Sequence, residues 1–205
     1  ILNFIKAGKR EYEVAAELEY LMRKFGSERT AFDTIVASGV RGSLPHGRAT
    51  NKIIENGEFV TLDFGAVVNG YHSDITRTVC VGTASDRQRE IYSAVLDAQL
   101  YGLEIIKAGI GGKVIDEKVR ERLKNLGFGE YFSHSLGHSL GLEIHEEPRL
   151  SKLSKCESLE VNMLVTDEPG VYIPNFGGVR IEDTVLVTDH GAEPLTESTK
   201  DLLEL

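Results

Sequence analysis

The chain contains no tryptophan, two cysteines, two methionines and five prolines among 205 residues. Cys80 and Cys156 stand far apart with no C-x-x-C pairing. That excludes a disulfide framework and suits two small, buried apolar residues in a reducing cytosol. Proline is scarce, and the 41% hydrophobic and 27% charged composition is ordinary, which excludes a collagen-like, coiled-coil or disordered chain. No apolar run approaches the roughly 18 residues of a membrane span, and no signal-peptide pattern is present, so a cytoplasmic location is expected. A basic excess is also lacking: 23 Lys and Arg face 32 Asp and Glu, for a net charge of −9. Such a surface repels phosphate, so neither a nucleic acid nor a membrane is expected as a partner. An initiating methionine is missing too. Ile1-Leu2-Asn3-Phe4-Ile5 runs directly into Lys6–Arg10, which reads as the middle of a longer chain cut before a helix.

What is present is strongly patterned. Apolar Val14, Leu18, Leu21, Met22 and Phe25 mark one face of a helix over 11–25, stopped by Gly26. Phe32 to Ala37 reads as a strand, followed by a loop over 38–51. Glu58 to Val67 and Tyr71 to Val81 read as two strands joined by Asn69-Gly70, a hairpin turn. Helices are expected over 86–107 and 113–126, the second closed by Gly127. Strands follow over 163–168 and 179–187, and Leu195 to Leu205 reads as a short terminal helix. Each half runs helix, His-bearing loop, then acid-bearing strands. Residues 9–80 and 86–190 therefore suggest a diverged duplication within one α+β domain spanning 1–205.

The hairpin can be worked out in register. With a two-residue turn, Val68 faces Tyr71, which sets Asp63 opposite Thr76 and Asp74 opposite Gly65. Asp63 and Asp74 become diagonal neighbours on one face, beside the gap left by a glycine. Two converging carboxylates repel unless a cation or proton lies between them. They would merely be solvated acids on an exposed face, but Leu62, Phe64, Val67 and Ile75 give these strands a buried character.

Further candidates lie downstream. His134, His138 and His145 fall within twelve residues, and Gly137 and Gly141 among them favour a bent loop or strand over a helix. Pro169 keeps Glu168 extended at a strand end. Strand alternation puts Arg180, Glu182 and Thr184 on one face, where Arg180 and Glu182 could equally be a simple ion pair. Asp63, Asp74, His138, Glu168 and Glu182 together form an oxygen-rich set of hard ligands. It suits two divalent ions, Mn²⁺ first, with Co²⁺, Fe²⁺ or Zn²⁺ as alternatives. Such a pair lowers the pKa of a water and polarises a carbonyl, which amide hydrolysis at neutral pH requires.

The segments Pro45-His46-Gly47, Asp63-Phe-Gly, Gly70-Tyr-His-Ser-Asp74, Gly137-His138-Ser-Leu-Gly141, Glu168-Pro169-Gly170 and Arg180-Ile-Glu182-Asp183-Thr184 follow one another in a distinctive order. That order resembles the pita-bread metallopeptidases: Xaa-Pro aminopeptidases, Xaa-Pro dipeptidases and methionine aminopeptidases. The resemblance implies a pita-bread (creatinase/aminopeptidase) fold, with two pseudo-symmetric halves of helices and antiparallel strands around a curved sheet. It implies that Asp63 chelates one metal, His138 and Glu168 hold the other, and Asp74 and Glu182 bridge both. It implies a bridging hydroxide as nucleophile, with Glu168 shuttling its proton. His46 and His145 would position the scissile carbonyl, and His134 would line a proline pocket. Arg180 would organise the site or hold a substrate carboxylate, while His72 receives no role. The Gly177-to-Thr184 segment resembles the proline-specific branch, whose members carry an additional N-terminal domain and act as homodimers. A peptide with proline in second position is therefore the expected substrate. Methionine aminopeptidase is the alternative, and a non-catalytic binding module of the same fold a third reading.

Overall fold

The computed structural model describes all 205 residues. In chain order the elements are α1 (Glu11–Lys24), β1 (Arg29–Thr30), β2 (Ile35–Ser38), a 3₁₀ turn (Gly39–Ser43), β3 (Phe59–Phe64), β4 (Ala66–Val68), β5 (Tyr71–His72) and β6 (Ile75–Cys80). Then come α2 (Asp86–Ile105), α3 (Gly112–Asn125), a 3₁₀ turn (Gly129–Tyr131), β7 (Gly137–Ser139), β8 (Glu146–Leu150), β9 (Leu164–Asp167), β10 (Gly170–Ile173), β11 (Gly177–Arg180), β12 (Asp183–Val187) and β13 (Ala192–Pro194). The architecture is α+β with antiparallel sheets. β2-β3-β6 forms one sheet, β13-β12-β9-β7-β8 the largest, and β1-β4-β5 and β10-β11 two small ones.

The helices are where the apolar periodicity puts them. α1 buries Leu18 and packs Val14 and Ala15 into a smaller core with Val36, Ile54, Val60 and Leu62, and ends at Gly26, whose φ of +106° suits a residue without Cβ. α2 starts at Ser85, whose N–H donates to Gln88 Oε1 (2.8 Å) while its Oγ accepts from Gln88 N–H (3.3 Å), a reciprocal cap. α2 and α3 bury Ile91, Val95, Ala98, Ile115, Val119 and Leu123 against Val165 and Val185 of the largest sheet, Val179 of β11 and Ile181 at the break after it, forming the main core.

The two long hairpins share one device. In the first, Val68 pairs with Tyr71 and Asp63 with Thr76, the expected register, but the ladder breaks around Gly65, Ser73 and Asp74. A Cβ on Gly65 would stand 1.9 Å from Ser73 O, so the break closes only around glycine. In the second, Gly170 pairs with Arg180 and Asp183 with Asp167, again one continuous register, and this ladder breaks where Glu168 lies opposite Glu182. The predicted strand 179–187 is therefore two strands. At its break the freed Glu182 N–H donates to Thr76 O (3.1 Å), joining the hairpins edge to edge. Thr78 Oγ1 to Arg180 O (3.0 Å) and Thr184 Oγ1 to Asp74 O (2.8 Å) extend that seam.

Two expectations fail. Leu195 to Leu205 is not a helix but mostly irregular, extended chain clipped to β6, with Cys80 N–H donating to Leu203 O and Leu205 N–H to Cys80 O, both at 2.9 Å. The reason is that its leucines serve both cores: Leu202 packs on the larger one, Leu203 and Leu205 on the smaller. A helix would put Leu202 and Leu205 on one face. Cys156 is not buried either; it is half-exposed, while Cys80 is fully buried.

Candidate metal centre

The seam between the hairpins gathers the acids. Asp63 comes from β3, Asp74 from the first break, Glu168 and Glu182 from the second, and His138 from β7, which lies between β8 and β9. One potential ligand atom each from Asp63, Asp74 and Glu182 lies within 4.8 Å of the others. His138 Nε2 is 3.5 Å from both Asp74 Oδ2 and Glu168 Oε1, so Asp74 belongs to both groupings. His138 Nδ1 is 3.0 Å from Ser139 O, which accepts its N–H hydrogen bond and so leaves the Nε2 lone pair facing the acids. Asp74, His138 and Glu182 are buried, and Glu168 is partly covered.

Such crowding carries an electrostatic cost that marks the site. Burial, then repulsion from Asp63 and Glu168, pushes the Asp74 carboxyl well above its usual range. Glu182 is raised by burial and by Asp74, Glu168 and Asp63. Burial lifts Glu168 to about 8, with Arg180 opposing and Asp63 adding to the rise. Burial lowers His138 to about 4. Asp63 Oδ1 and Glu182 Oε1 are buried with no donor in reach. Orphaned carboxylate oxygens that converge with a neutral imidazole fit divalent cations, and the donor set is hard enough for the ions named above.

Other members of the expected set surround a cavity of about 500 Å³ lined by His46, Phe32, His134, His145, Arg149 and the five candidate ligands. His145 packs edge-to-face on His138 with ring centroids 4.4 Å apart. His46 lies on the exposed loop after the 3₁₀ turn. α3 fixes the approach to β7: Asp116 Oδ1 accepts from Leu136 N–H (2.9 Å), and Arg120 donates to Phe132 O (2.8 Å) and His134 O (2.6 Å).

Arg180 is the exception, for it does not line the cavity. Buried behind Asp63, it donates to Asp63 Oδ2 (2.6 Å), Thr76 Oγ1 (3.0 Å), Tyr172 Oη (2.8 Å) and Pro45 O (3.1 Å). These contacts occupy four of its five N–H groups and are those of a group that holds Asp63 and Thr76 in place. Tyr172 then lies 2.7 Å from His134 Nε2, and Thr76 Oγ1 donates to Glu182 Oε2 (2.5 Å). Tyr172 and Thr76 escape a reading of the sequence, although Tyr172 follows Glu168-Pro169-Gly170 closely and Thr76 was placed opposite Asp63. Glu11 was missed as well. It is fully buried and accepts from Ser38 N–H (2.8 Å), Thr50 N–H (3.0 Å), both their hydroxyls and Arg41, binding α1 to the two ends of the His46 loop.

Comparison with known proteins bears on this arrangement. The sequence pattern of metallopeptidase family M24 matches residues 1–189. An Xaa-Pro dipeptidase of Pyrococcus furiosus is 54% identical over 97% of this chain and 57% of its own length. The solved Xaa-Pro dipeptidase of Bacillus anthracis superposes with a TM-score of 0.97 at 55% identity, over 100% of this chain and 57% of that one. The X-Pro aminopeptidase of Thermotoga maritima gives 0.96 at 46% identity, over 99% and 57%. The chain thus spans a little over half the length of these relatives.

Proposed function

The chain belongs to metallopeptidase family M24 and has its pita-bread α+β fold, and on that premise we propose that it hydrolyses the peptide bond before proline. Five convergent ligands in one cavity with His134, His145 and His46 are the observation that carries this reading. Asp63, Asp74, His138, Glu168 and Glu182 would hold two divalent ions, Mn²⁺ first among them. When bound, the ions acidify a water and polarise the substrate carbonyl. The chain's own groups do the rest. Glu168, beside His138 on the cavity wall, accepts a proton from the attacking water and delivers it to the leaving proline nitrogen, which carries no hydrogen of its own. His145 and His46, on the cavity wall, donate to the carbonyl oxygen as it gains charge. The ring of His134, held by Tyr172 and kept neutral by burial, borders the proline. Arg180 keeps Asp63 and, through Thr76, Glu182 in place.

The named activities of the relatives support the same substrate class. At its full natural length the protein is proposed to be a homodimer. The test is hydrolysis of Xaa-Pro dipeptides and of longer Xaa-Pro peptides by that protein with Mn²⁺. Cleavage of dipeptides alone assigns a dipeptidase, and cleavage of the longer peptides an aminopeptidase. Failure on both, with release of Met from Met-Ala peptides, would replace this reading by the methionine-specific one.

A further inference from the structure

His72 takes no part in the chemistry above, yet it joins the two halves. It closes β5 in the first hairpin, two residues before Asp74. Its main-chain N–H donates to Gly141 O at 2.8 Å, and its Nδ1 lies 3.2 Å from the same oxygen. Arg29 Nη1 is 3.2 Å from His72 Nε2. A guanidinium only donates, so Nε2 holds the lone pair and Nδ1 the proton. Both ring nitrogens thus have a hydrogen-bond partner.

Gly141 begins the irregular segment 141–145 between β7 and β8, and His145 ends it. The segment's other hydrogen bonds are local: Gly141 N–H donates to Glu143 O (3.0 Å) and Glu143 N–H to Glu146 Oε1 (2.9 Å). Both bonds that tie it to another part of the fold come from His72. Packing adds little to them: Leu142 is 62% exposed and Ile144 only half-buried. Yet this segment must hold the His145 ring against His138 in the cavity wall.

We infer that His72 is a positioning residue: its imidazole clamps Gly141 and so keeps the segment carrying His145 in register with the site. This rests on the peptidase reading. The test compares His72→Phe with His72→Asn in the full-length protein. Asn sets an amide nitrogen where Nδ1 stands and has no group to reach Arg29, so it isolates the Gly141 bond. His72→Phe is expected to lower kcat on an Xaa-Pro dipeptide by roughly three- to tenfold, the worth of one hydrogen bond. KM should stay within about twofold, because His145 acts on the transition state. Amide hydrogen exchange of residues 141–145 in the metal-free protein should quicken in His72→Phe. His72→Asn should restore both readouts. Unchanged kcat and exchange in His72→Phe, or equal losses in the two variants, would overturn the clamp. A wild-type protein inert on Xaa-Pro substrates would instead refute the peptidase reading, and exchange alone would then decide the clamp.

Discussion

At the scale of single residues, Asp74 has the least replaceable position, since it faces both Glu182 and His138. Asp74→Ala is expected to leave fewer than two metal ions per chain by elemental analysis. It should also cut Xaa-Pro turnover by more than about 100-fold, beyond what loss of a supporting group costs. Two bound ions and undiminished turnover would refute the shared-ligand assignment. The same crowding makes the metal-free protein sensitive to pH. Glu168 is raised from 4.5 to about 8, so the folded state retains a proton that the unfolded chain gives up, and stability falls as pH rises across that interval. His138 and His134, lowered from 6.5 to about 4 and about 3, act with the opposite sign up to about pH 6.5. Above that only the carboxylates remain, with Asp74 and Glu182 raised as well. The thermal midpoint in chelator should therefore drop between about pH 6.5 and 8, and the drop should vanish with Mn²⁺ present. A midpoint in chelator that is flat or rising there would contradict the shared burial of these acids.

At the scale of elements, the breaks in the two hairpins place the ligands, and glycines make the close approaches possible. Gly137, which in the sequence favours a bent loop or strand over a helix, is a strand residue pressed against β9: a Cβ there would lie 2.0 Å from Thr166 O. Gly137→Ala should destabilise the fold by about 1–3 kcal/mol through overpacking and displace the adjacent His138, seen as weaker metal binding in calorimetry. Besides its apolar face and two main-chain bonds to residues 50 and 52, α1 is tied to both ends of the His46 loop by one carboxylate. Glu11→Ala leaves the donors of Ser38 and Thr50 without their acceptor and Arg41 without its partner, and should cost about 3–5 kcal/mol by denaturant unfolding. These elements also show what local pattern conveys. The Asn69-Gly70 turn set the register of the first hairpin correctly, because period-two alternation and a two-residue turn leave no alternative. The interruption at 181–182 left no local trace, because it exists to let Glu182 bond the other hairpin.

For the whole molecule, the candidate ligands are drawn from both halves, so ion binding links them. Saturating divalent metal should raise stability by about 2.7 kcal/mol at a hundredfold excess over Kd, and a chelator should remove it. An unchanged unfolding midpoint would mean that the cluster holds no ion. Sequence alone determined the helices, the first hairpin with Asp63 beside Asp74, and the expectation that the acids and His138 share one site, because periodicity, turn chemistry and ligand chemistry are local properties. Tertiary structure alone decided that Arg180 stands behind the cavity, that Glu11 holds the His46 loop, and that the last eleven residues run extended rather than helical. Each of those depends on partners tens of residues away: a buried guanidinium or carboxylate takes whatever donors and acceptors the fold brings to it, and alternating leucines follow the two cores they meet.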